Sequence, residues 1–296
     1  MVKASISFFS DDDFNNQGID MLRTSEPALF EGRDRDFSDC TDILDGGFRF
    51  AFQPIVDAAT QTIVGYEALV RGMDGESAAT VIAAIGAEHR CAFDQACRTR
   101  ALQTAARLGF EGDVHLNCSR ITRDKVAVAV AATRQCAIDE GLDPARIVLE
   151  FGNLEPLGNP RELDRARRIT QAAGFRVLAD NIGCGEVGLK RLAVFCPDFA
   201  KLDRSLVGGI ENSPRRQAIV RGLIATCRAL GIGIIAAGVE SAREAAWLAR
   251  AGIAQAQGFH FGRPTYRPAV GRAASERRVA WYDLSEGRRH GAFETD

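Results

Sequence analysis

Acidic and amide side chains recur near the ends of apolar runs in this chain of 296 residues. Glu67, Glu150 and Asp180 each interrupt an otherwise apolar run close to its end, and Asn117 ends another such run. Several carboxylates in one place repel one another unless a hard divalent cation lies between them. The four histidines show no ligand spacing, and oxygen ligands without histidine favour Mg²⁺ or Mn²⁺ over zinc. The residue types therefore indicate a magnesium or manganese site wherever these run ends meet.

The elements that would position these residues are short strands separated mostly by helices. Strand-like apolar runs occur at RFAFQPIV, TIVGYEALV, DVHLNC, RIVLEF, RVLAD, FAKLD, GIGIIAAG and AQGFHF. This alternation predicts an α/β fold, a modified TIM (β/α)₈ barrel, in which the chemistry lies at the C-terminal ends of the strands. The link between the first two runs is too short for a helical crossover, so we expect an antiparallel first strand pair. A doubly wound open sheet is the alternative fold.

Two helices are predicted with defined ends. Ser213 as N-cap, Pro214 in the first turn and a glycine after the end are typical of a helix over residues 214–230. The spacing of its apolar residues predicts one buried face formed by Ile219, Leu223, Ile224 and Cys227. Ser241 with Glu244 predicts a capping box at the start of the next helix.

Composition excludes several classes of partner. A net charge of −2 and a pI near 6.2 give no basic field, so we expect neither nucleic-acid nor membrane-surface binding. No apolar run approaches the roughly 18 residues of a membrane span, and no secretory signal precedes the first strand. The eight cysteines are scattered without a Cys-x-x-Cys pair. They indicate reduced thiols and a cytoplasmic protein.

The chain is predicted to contain one folded domain and two polar ends. Residues 1–40 are polar and acidic in patches without periodicity, which indicates a flexible N-terminal arm. Residues 41–271 contain the strand and helix alternation and are assigned to the barrel. Residues 272–296 are rich in charge and form a C-terminal tail.

Seven ordered motifs give the barrel a specific resemblance. They are Gln-Pro-Ile at 53–55, Tyr-Glu-Ala-Leu-Val-Arg at 66–71, Asn-x-Ser at 117–119, Leu-Glu at 149–150, Leu-Ala-Asp at 178–180, Lys-Leu-Asp at 201–203 and QGFHFGRP at 257–264. In this order and spacing the chain resembles the EAL domain family. That family contains the phosphodiesterases that linearise the bacterial messenger cyclic di-GMP. The resemblance covers residues 48 to about 266.

The resemblance implies a role for each matching residue. It implies a first metal site, for Mg²⁺ or Mn²⁺, formed by Glu67, Asn117, Glu150 and Asp180. Lys201, which orients or activates the attacking water, and Glu67 are the implied catalytic residues. The implied contacts to the dinucleotide are Gln53, Arg71, Asp203 and Gln257, and an arginine suits a phosphate because it can bind it bidentately.

The sequence departs from the family at the second metal site. Asn181 and Ala237 stand where the family has aspartate and glutamate, so the second ion would keep only Asp180. Glu240 lies three positions beyond Ala237, an odd offset that in a strand points to the opposite face, so we do not expect it to substitute. Asn153 replaces a further glutamate, and the loop after Asp180 is also altered (CGEVG).

Two functional interpretations follow from these departures. The first is a degenerate EAL protein that acts as a cyclic di-GMP receptor or protein-interaction regulator, with weak or no hydrolysis. The second is an active metal-dependent phosphodiesterase that tolerates the altered second site, and an unrelated barrel enzyme is a third alternative. Cyclic di-GMP is the expected ligand, and a regulatory protein and a second copy of the chain are the candidate protein partners.

Overall fold

The computed structural model describes residues 47–118, 124–152, 159–183 and 188–269. The N-terminal arm (1–40), the C-terminal tail (272–296), Asn153 and residues 184–187 of the altered loop lie outside the described residues. The predictions made for them stay predictions.

The strands form a closed barrel in sequential order, β1 to β8. Neighbouring strands are parallel except that β1 is antiparallel to both β2 and β8. The predicted modified barrel with an antiparallel first pair is therefore confirmed, and the open sheet is excluded. The strands are β1 Phe48–Asp57, β2 Ile63–Gly72, β3 Asp113–Asn117, β4 Ile147–Phe151, β5 Arg176–Ile182, β6 Phe199–Leu202, β7 Gly233–Ala236 and β8 Gln255–Gln257.

Helices follow most of the strands and cover the outside of the barrel. In the described residues they are α1 Ala78–Ala83, α2 Arg90–Leu108, α3 Val126–Asp139, α4 Pro160–Ala172, α5 Gly188–Phe195, α6 Arg204–Val207, α7 Pro214–Leu230 and α8 Ala242–Ala251. Short 3₁₀ helices occupy Ala87–His89, Pro144–Arg146 and Ile210–Asn212. No helix in this part of the chain has both the length and the apolar character needed to cross a bilayer.

Both predicted helix starts are confirmed. The Ser213 side chain accepts a hydrogen bond from the Arg216 amide at the start of α7, and α8 begins with a complete capping box of Ser241 and Glu244. The predicted buried face of α7 is wrong at one position, because Ile219 is 53% exposed. Val220 is buried in its place, so the buried face consists of Val220, Leu223, Ile224 and Cys227.

The barrel interior is layered, and the layers place the candidate site. Ile55, Val148, Leu178 and Ile235 are fully buried and pack together as an apolar layer. Side chains alternate between the two faces of a strand, so residues two positions away share the interior face. Towards the C-terminal ends of the parallel strands these neighbours are Gln53, Glu150, Asp180 and Ala237. A polar layer therefore lies directly above an apolar one, at the end where barrel chemistry is expected.

The glycine after β8 fixes a close backbone approach at the same end of the barrel as this polar layer. A Cβ atom added at Gly258 would lie 2.0 Å from the carbonyl oxygen of Val239, so Gly258→Ala forces the backbone to shift. We expect this change to lower the free energy of unfolding by about 1–3 kcal/mol. Gly222→Ala is the matched control, because its Cβ would meet nothing within 4 Å in helix α7. That control should instead gain about 0.5–1 kcal/mol. Denaturant unfolding measures both, and an unchanged midpoint for Gly258→Ala would show that the contact is not tight.

Candidate functional site

A cavity of about 290 Å³ opens at the C-terminal end of the strands. This cavity is called the mouth below. Its wall includes five of the predicted site residues and six others from the loops after β6, β7 and β8. The lining residues are Gln53, Glu67, Asp180, Lys201, Arg204, Ala237, Gly238, Glu240, Gln257, Gly258 and Phe259.

Lys201 is the centre of the charged network at the base of the mouth. Its Nζ lies 2.7 and 2.6 Å from the two carboxylate oxygens of Glu150 and 3.1 Å from Oε2 of Glu67. Glu150 is fully buried, and Lys201 is only 4% exposed. Two carboxylates on different strands thus share one ammonium, which holds the network rigid.

Amide side chains extend the network across the first and last strands. Gln257 donates through Nε2 to Glu67 at 2.7 Å and to Oε1 of Gln53 at 3.1 Å. Asn117 donates to the other oxygen of Glu67 at 3.4 Å, and Gln53 donates to the carbonyl of Gly262 at 3.0 Å. Oε1 of Gln257 is buried and accepts no hydrogen bond from the described residues. A buried acceptor without a donor is costly, so this atom marks a place for a bound ligand or water.

His115 belongs to this network, although its spacing predicted only an ordinary histidine. It precedes Asn117 by two residues in β3 and therefore faces the same interior, where its Nδ1 lies 2.8 Å from Oε1 of Glu150. Burial and the nearby Lys201 lower the pKa of His115 to about 3. The ring is neutral at physiological pH and can donate Nδ1–H to Glu150. The two-residue offset from Asn117 was the sequence signal that would have identified it.

Electrostatics in the mouth favour an additional positive charge. Burial, reinforced by the neighbouring carboxylates, raises the pKa of Glu150 to about 7 and that of Asp180 to about 6. The pKa of Glu67 is instead lowered, because Lys201 and the hydrogen bonds of Gln257 and Lys201 outweigh burial. Glu150 and Glu67 raise the pKa of Lys201 despite its burial, so it stays protonated.

The donor set fits a divalent cation. The carboxyl groups of Glu67, Glu150 and Asp180 outnumber the single ammonium of Lys201 at this end of the barrel. Carboxylate and amide oxygens suit Mg²⁺ or Mn²⁺, and burial is the main cause of the raised pKa of Asp180, to which Glu150 and Glu67 add. Within the described residues, no three His, Cys, Asp or Glu side chains are gathered closely enough to hold a metal on their own. A bound ion would therefore draw on the Asn117 amide oxygen and on rotation of the carboxylates.

Next to Asp180, the residues at positions 181 and 237 are asparagine and alanine and not acids. Asn181 adopts a left-handed backbone conformation with φ of 59°, which asparagine tolerates well. Its Nδ2 thereby reaches back to donate to Oδ2 of Asp180 at 3.0 Å. Ala237 lines the mouth with a methyl group, two residues beyond the inward-facing Ile235. An amide and a methyl group thus occupy the two positions at which the resemblance implies carboxylates.

The expectation that Glu240 does not substitute for a missing acid stays a prediction, and its argument from strand alternation is wrong. Strand β7 ends at Ala236, so strand alternation does not extend to Glu240, and this residue also lines the mouth. Its carboxylate lies 2.6 Å from Nη2 of Arg204, and Nη1 of Arg204 donates to the carbonyl of Gly238 at 2.6 Å. The charge of Glu240 is therefore already engaged.

The other two predicted dinucleotide contacts lie away from the base of the mouth. Asp203 is the N-cap of α6, and its side chain accepts from the amide of Ser205 at 2.8 Å. Arg71 is near the end of β2, four residues beyond Glu67, and donates through Nη1 to the carbonyl of Val70 at 2.8 Å. The roles of Asp203 and Arg71 in ligand binding stay predictions.

Comparison with known families and proteins gives consistent matches. A family model described as EAL domain matches residues 40–264. The blue light- and temperature-regulated antirepressor BluF of Escherichia coli (strain K12) is 30% identical over 238 residues, which is 79% of this chain and 59% of that protein. The chain thus spans less than two thirds of this curated relative.

Two solved structures are similar in fold and were obtained with a ligand. A standalone versatile EAL protein from Vibrio cholerae O395, in its c-di-GMP-bound form, has a TM-score of 0.72 and 34% identity, covering 79% of this chain and 99% of that one. Klebsiella pneumoniae BlrP1 in a manganese and cyclic di-GMP complex has a TM-score of 0.68 and 32% identity, covering 74% of this chain and 56% of that one. BlrP1 was also solved with FMN and cyclic di-GMP and no metal ions.

Proposed function

This chain belongs to the EAL domain family, and from that premise we propose that it is a cyclic di-GMP receptor or regulator with weak or no hydrolysis. One observation carries the proposal. The base of the mouth keeps a complete network around Lys201, whereas Ala237 lines the wall where a second metal ion would need a carboxylate. Binding groups are thus retained and a catalytic one is missing.

The retained residues account for ligand binding. Lys201 is protonated and buried, so it would orient a water or a phosphate oxygen and stabilise negative charge there rather than abstract a proton. The unpartnered Oε1 of Gln257 would accept a hydrogen bond from the dinucleotide or from an ordered water. Glu67, Asn117, Glu150 and Asp180 would hold one Mg²⁺ or Mn²⁺, which neutralises phosphate charge when bound.

The missing acids account for weak turnover. In a two-metal site, each ion stabilises the attacking or the leaving oxygen by several kcal/mol. A loss of about 4 kcal/mol of transition-state stabilisation slows a reaction roughly a thousandfold. Asp180 alone, with the neutral Asn181 as its neighbour, offers too little charge to offset the dehydration of a second Mg²⁺.

The alternative is an active phosphodiesterase giving the linear dinucleotide. It is favoured by the same network, because Lys201 and Glu67, the two implied catalytic residues, lie 3.1 Å apart in it. A receptor, in contrast, must pass its signal through another molecule, such as a regulatory protein or a second copy of the chain. BluF, a relative named as an antirepressor, illustrates a regulatory role for a protein of this family.

Ligand binding is tested by calorimetric titration of the full chain with cyclic di-GMP, the linear dinucleotide and GMP. We expect saturable binding that prefers the cyclic dinucleotide. Gln257→Ala should weaken it about 5- to 150-fold, because a buried polar contact to the ligand is worth roughly 1–3 kcal/mol. Gln135→Ala is the matched control, since Gln135 is exposed on α3 and pairs only with Asp139. Absence of binding by the wild-type chain would contradict the proposal.

A further inference from the structure

A second cavity, of about 320 Å³, lies between strand β2 and the helices α1 and α2. It is called the side cavity below. Most of its lining residues are apolar, among them Phe50, Val70, Ile82, Phe93 and Leu116. Cavities of this size with apolar walls and a few polar groups are typical of small-molecule sites. The volume is about twice the roughly 150 Å³ of a cavity that binds benzene, so a two-ring aromatic body fits.

Helix α1 borders the side cavity without burying any of its own residues. Ala78 and Ile82 line the cavity from this helix, pack at the edge of the core and are half-buried. Helix α2 contributes Phe93 and Ala101 to the same wall, and both are buried. Apolar side chains that line a cavity make fewer contacts than those in a packed core, and an apolar ligand would supply the missing contacts. The packing therefore favours a ligand with an apolar body.

The charged side chains of the wall indicate where a polar head group would bind. Arg98 and Asp94 form an ion pair with each other in α2, so their charges already cancel. Arg90 lies half-buried on the wall, and its Nε donates to the carbonyl of Ile85 at 3.4 Å. No carboxylate in the described part of the chain is paired with Arg90, so its two terminal nitrogens can donate to an anion.

We propose that the side cavity is a second ligand site, which binds a small molecule with an apolar body and a carboxylate head. The body lies against Phe50, Ile82 and Phe93. The carboxylate accepts from the guanidinium of Arg90, which can bind it through two parallel N–H···O bonds. The opposite orientation would bring the carboxylate towards Glu67, whose negative charge repels it. The site thus takes a ligand of a different class from the dinucleotide, and binding there does not depend on the proposed function.

The side cavity and the mouth share the wall residue Glu67. On the side-cavity wall Asn117 donates to Glu67 at 3.4 Å, and Gln257 and Lys201 donate to the same carboxylate in the mouth. A ligand in the side cavity therefore contacts side chains of the network at the base of the mouth. On the basis of the proposed function, its binding is expected to change the affinity for cyclic di-GMP, and such coupling is reciprocal.

The test uses 2-naphthoate and its neutral isostere 2-naphthamide, with dissociation constants measured by calorimetric titration of the full chain. We expect saturable binding of both, with 2-naphthoate bound about fivefold or more tightly. Arg90→Gln should remove that preference, and the matched control Arg107→Gln should keep it. Arg107 is exposed near the end of the same helix, and its Nε likewise donates to a backbone carbonyl. Absence of binding, or a preference that persists in Arg90→Gln, would overturn the inference.

A cavity-filling variant tests the position of the apolar body. Ala101→Met should weaken the binding of both compounds about tenfold or more, because methionine adapts to irregular gaps and would occupy the cavity. Ala131→Met changes an exposed residue of α3 and should stay within about twofold of wild type. Equal binding by wild type and a folded Ala101→Met would overturn the inference. If Ala101→Met does not fold, the comparison of Arg90→Gln with Arg107→Gln decides.

Cyclic di-GMP separates this inference from the proposed function. Saturating 2-naphthoate should change the dissociation constant for cyclic di-GMP about fivefold or more in wild type, and less in Arg90→Gln. An unchanged constant at saturation would overturn the coupling between the two cavities. If the wild-type chain does not bind cyclic di-GMP at all, the proposed function and the coupling fail, and binding of 2-naphthoate still decides whether the side cavity is a ligand site.

Discussion

The combined substitutions Asn181→Asp and Ala237→Glu are expected to raise the rate of cyclic di-GMP linearisation about 100- to 1,000-fold over wild type. They return two carboxylates to the corner beside Asp180, where an amide and a methyl group now lie. Each change alone should give less than about tenfold, since the second ion needs both acids, and the pair should be non-additive. The rate is followed as linear dinucleotide formed with Mn²⁺ or Mg²⁺.

Thermal stability provides an independent readout for the same variant. Two added carboxylates raise the repulsion in the mouth, so the double mutant should melt below wild type without metal and gain more on addition of Mn²⁺. Ala246→Glu adds a carboxylate on the exposed face of α8 and controls for a general charge effect. A double mutant that gains neither activity nor metal-dependent stability would contradict the assignment of Asn181 and Ala237 to a lost metal site.

Replacement of Lys201 by methionine is expected to lower the free energy of unfolding by roughly 3–5 kcal/mol in metal-free buffer. The ammonium holds both oxygens of the buried Glu150 and one of Glu67, so its removal leaves two carboxylates without a counter-charge. Ligand affinity should fall as well, because the positive charge at the base of the mouth is lost. Denaturant unfolding measures the first effect and calorimetric titration the second.

Two further variants identify the cause of that destabilisation. Lys125→Met changes an exposed lysine at the start of α3 and should stay within about 0.5 kcal/mol of wild type. Adding Glu150→Gln to Lys201→Met removes one of the two stranded charges and should recover part of the loss. If the double variant is no more stable than Lys201→Met alone, the stranded charge of Glu150 is not the cause.

The strand order, the antiparallel first pair and the helix caps could be predicted from the sequence because each depends on local spacing. A short link fixes the direction of β2, and Ser213 and Ser241 are sufficient to start α7 and α8. The candidate site residues came from the family resemblance of the motifs, and the closed barrel brings the strand ends that carry them to one face. One residue predicted for the buried face of α7, Ile219, is exposed in the structure. The i, i+4 spacing alone does not fix the rotation of a helix against its neighbours.

The remaining features depend on contacts between distant segments. His115 could not be paired with Glu150 without knowing that β3 and β4 are neighbours with Asn117 opposite Glu150. The left-handed conformation of Asn181 and the ion pair of Glu240 with Arg204 involve loops whose course the sequence does not dictate.

Retained binding with turnover largely lost can be measured on the wild-type chain in a single assay. Cyclic di-GMP is incubated with the protein at concentrations that saturate binding, with Mn²⁺ or Mg²⁺, and conversion to the linear dinucleotide is followed over time. We predict saturable binding with turnover at least about a hundredfold below the one per second of a competent enzyme. Turnover near one per second would show that the second acidic corner is not needed and would contradict the account.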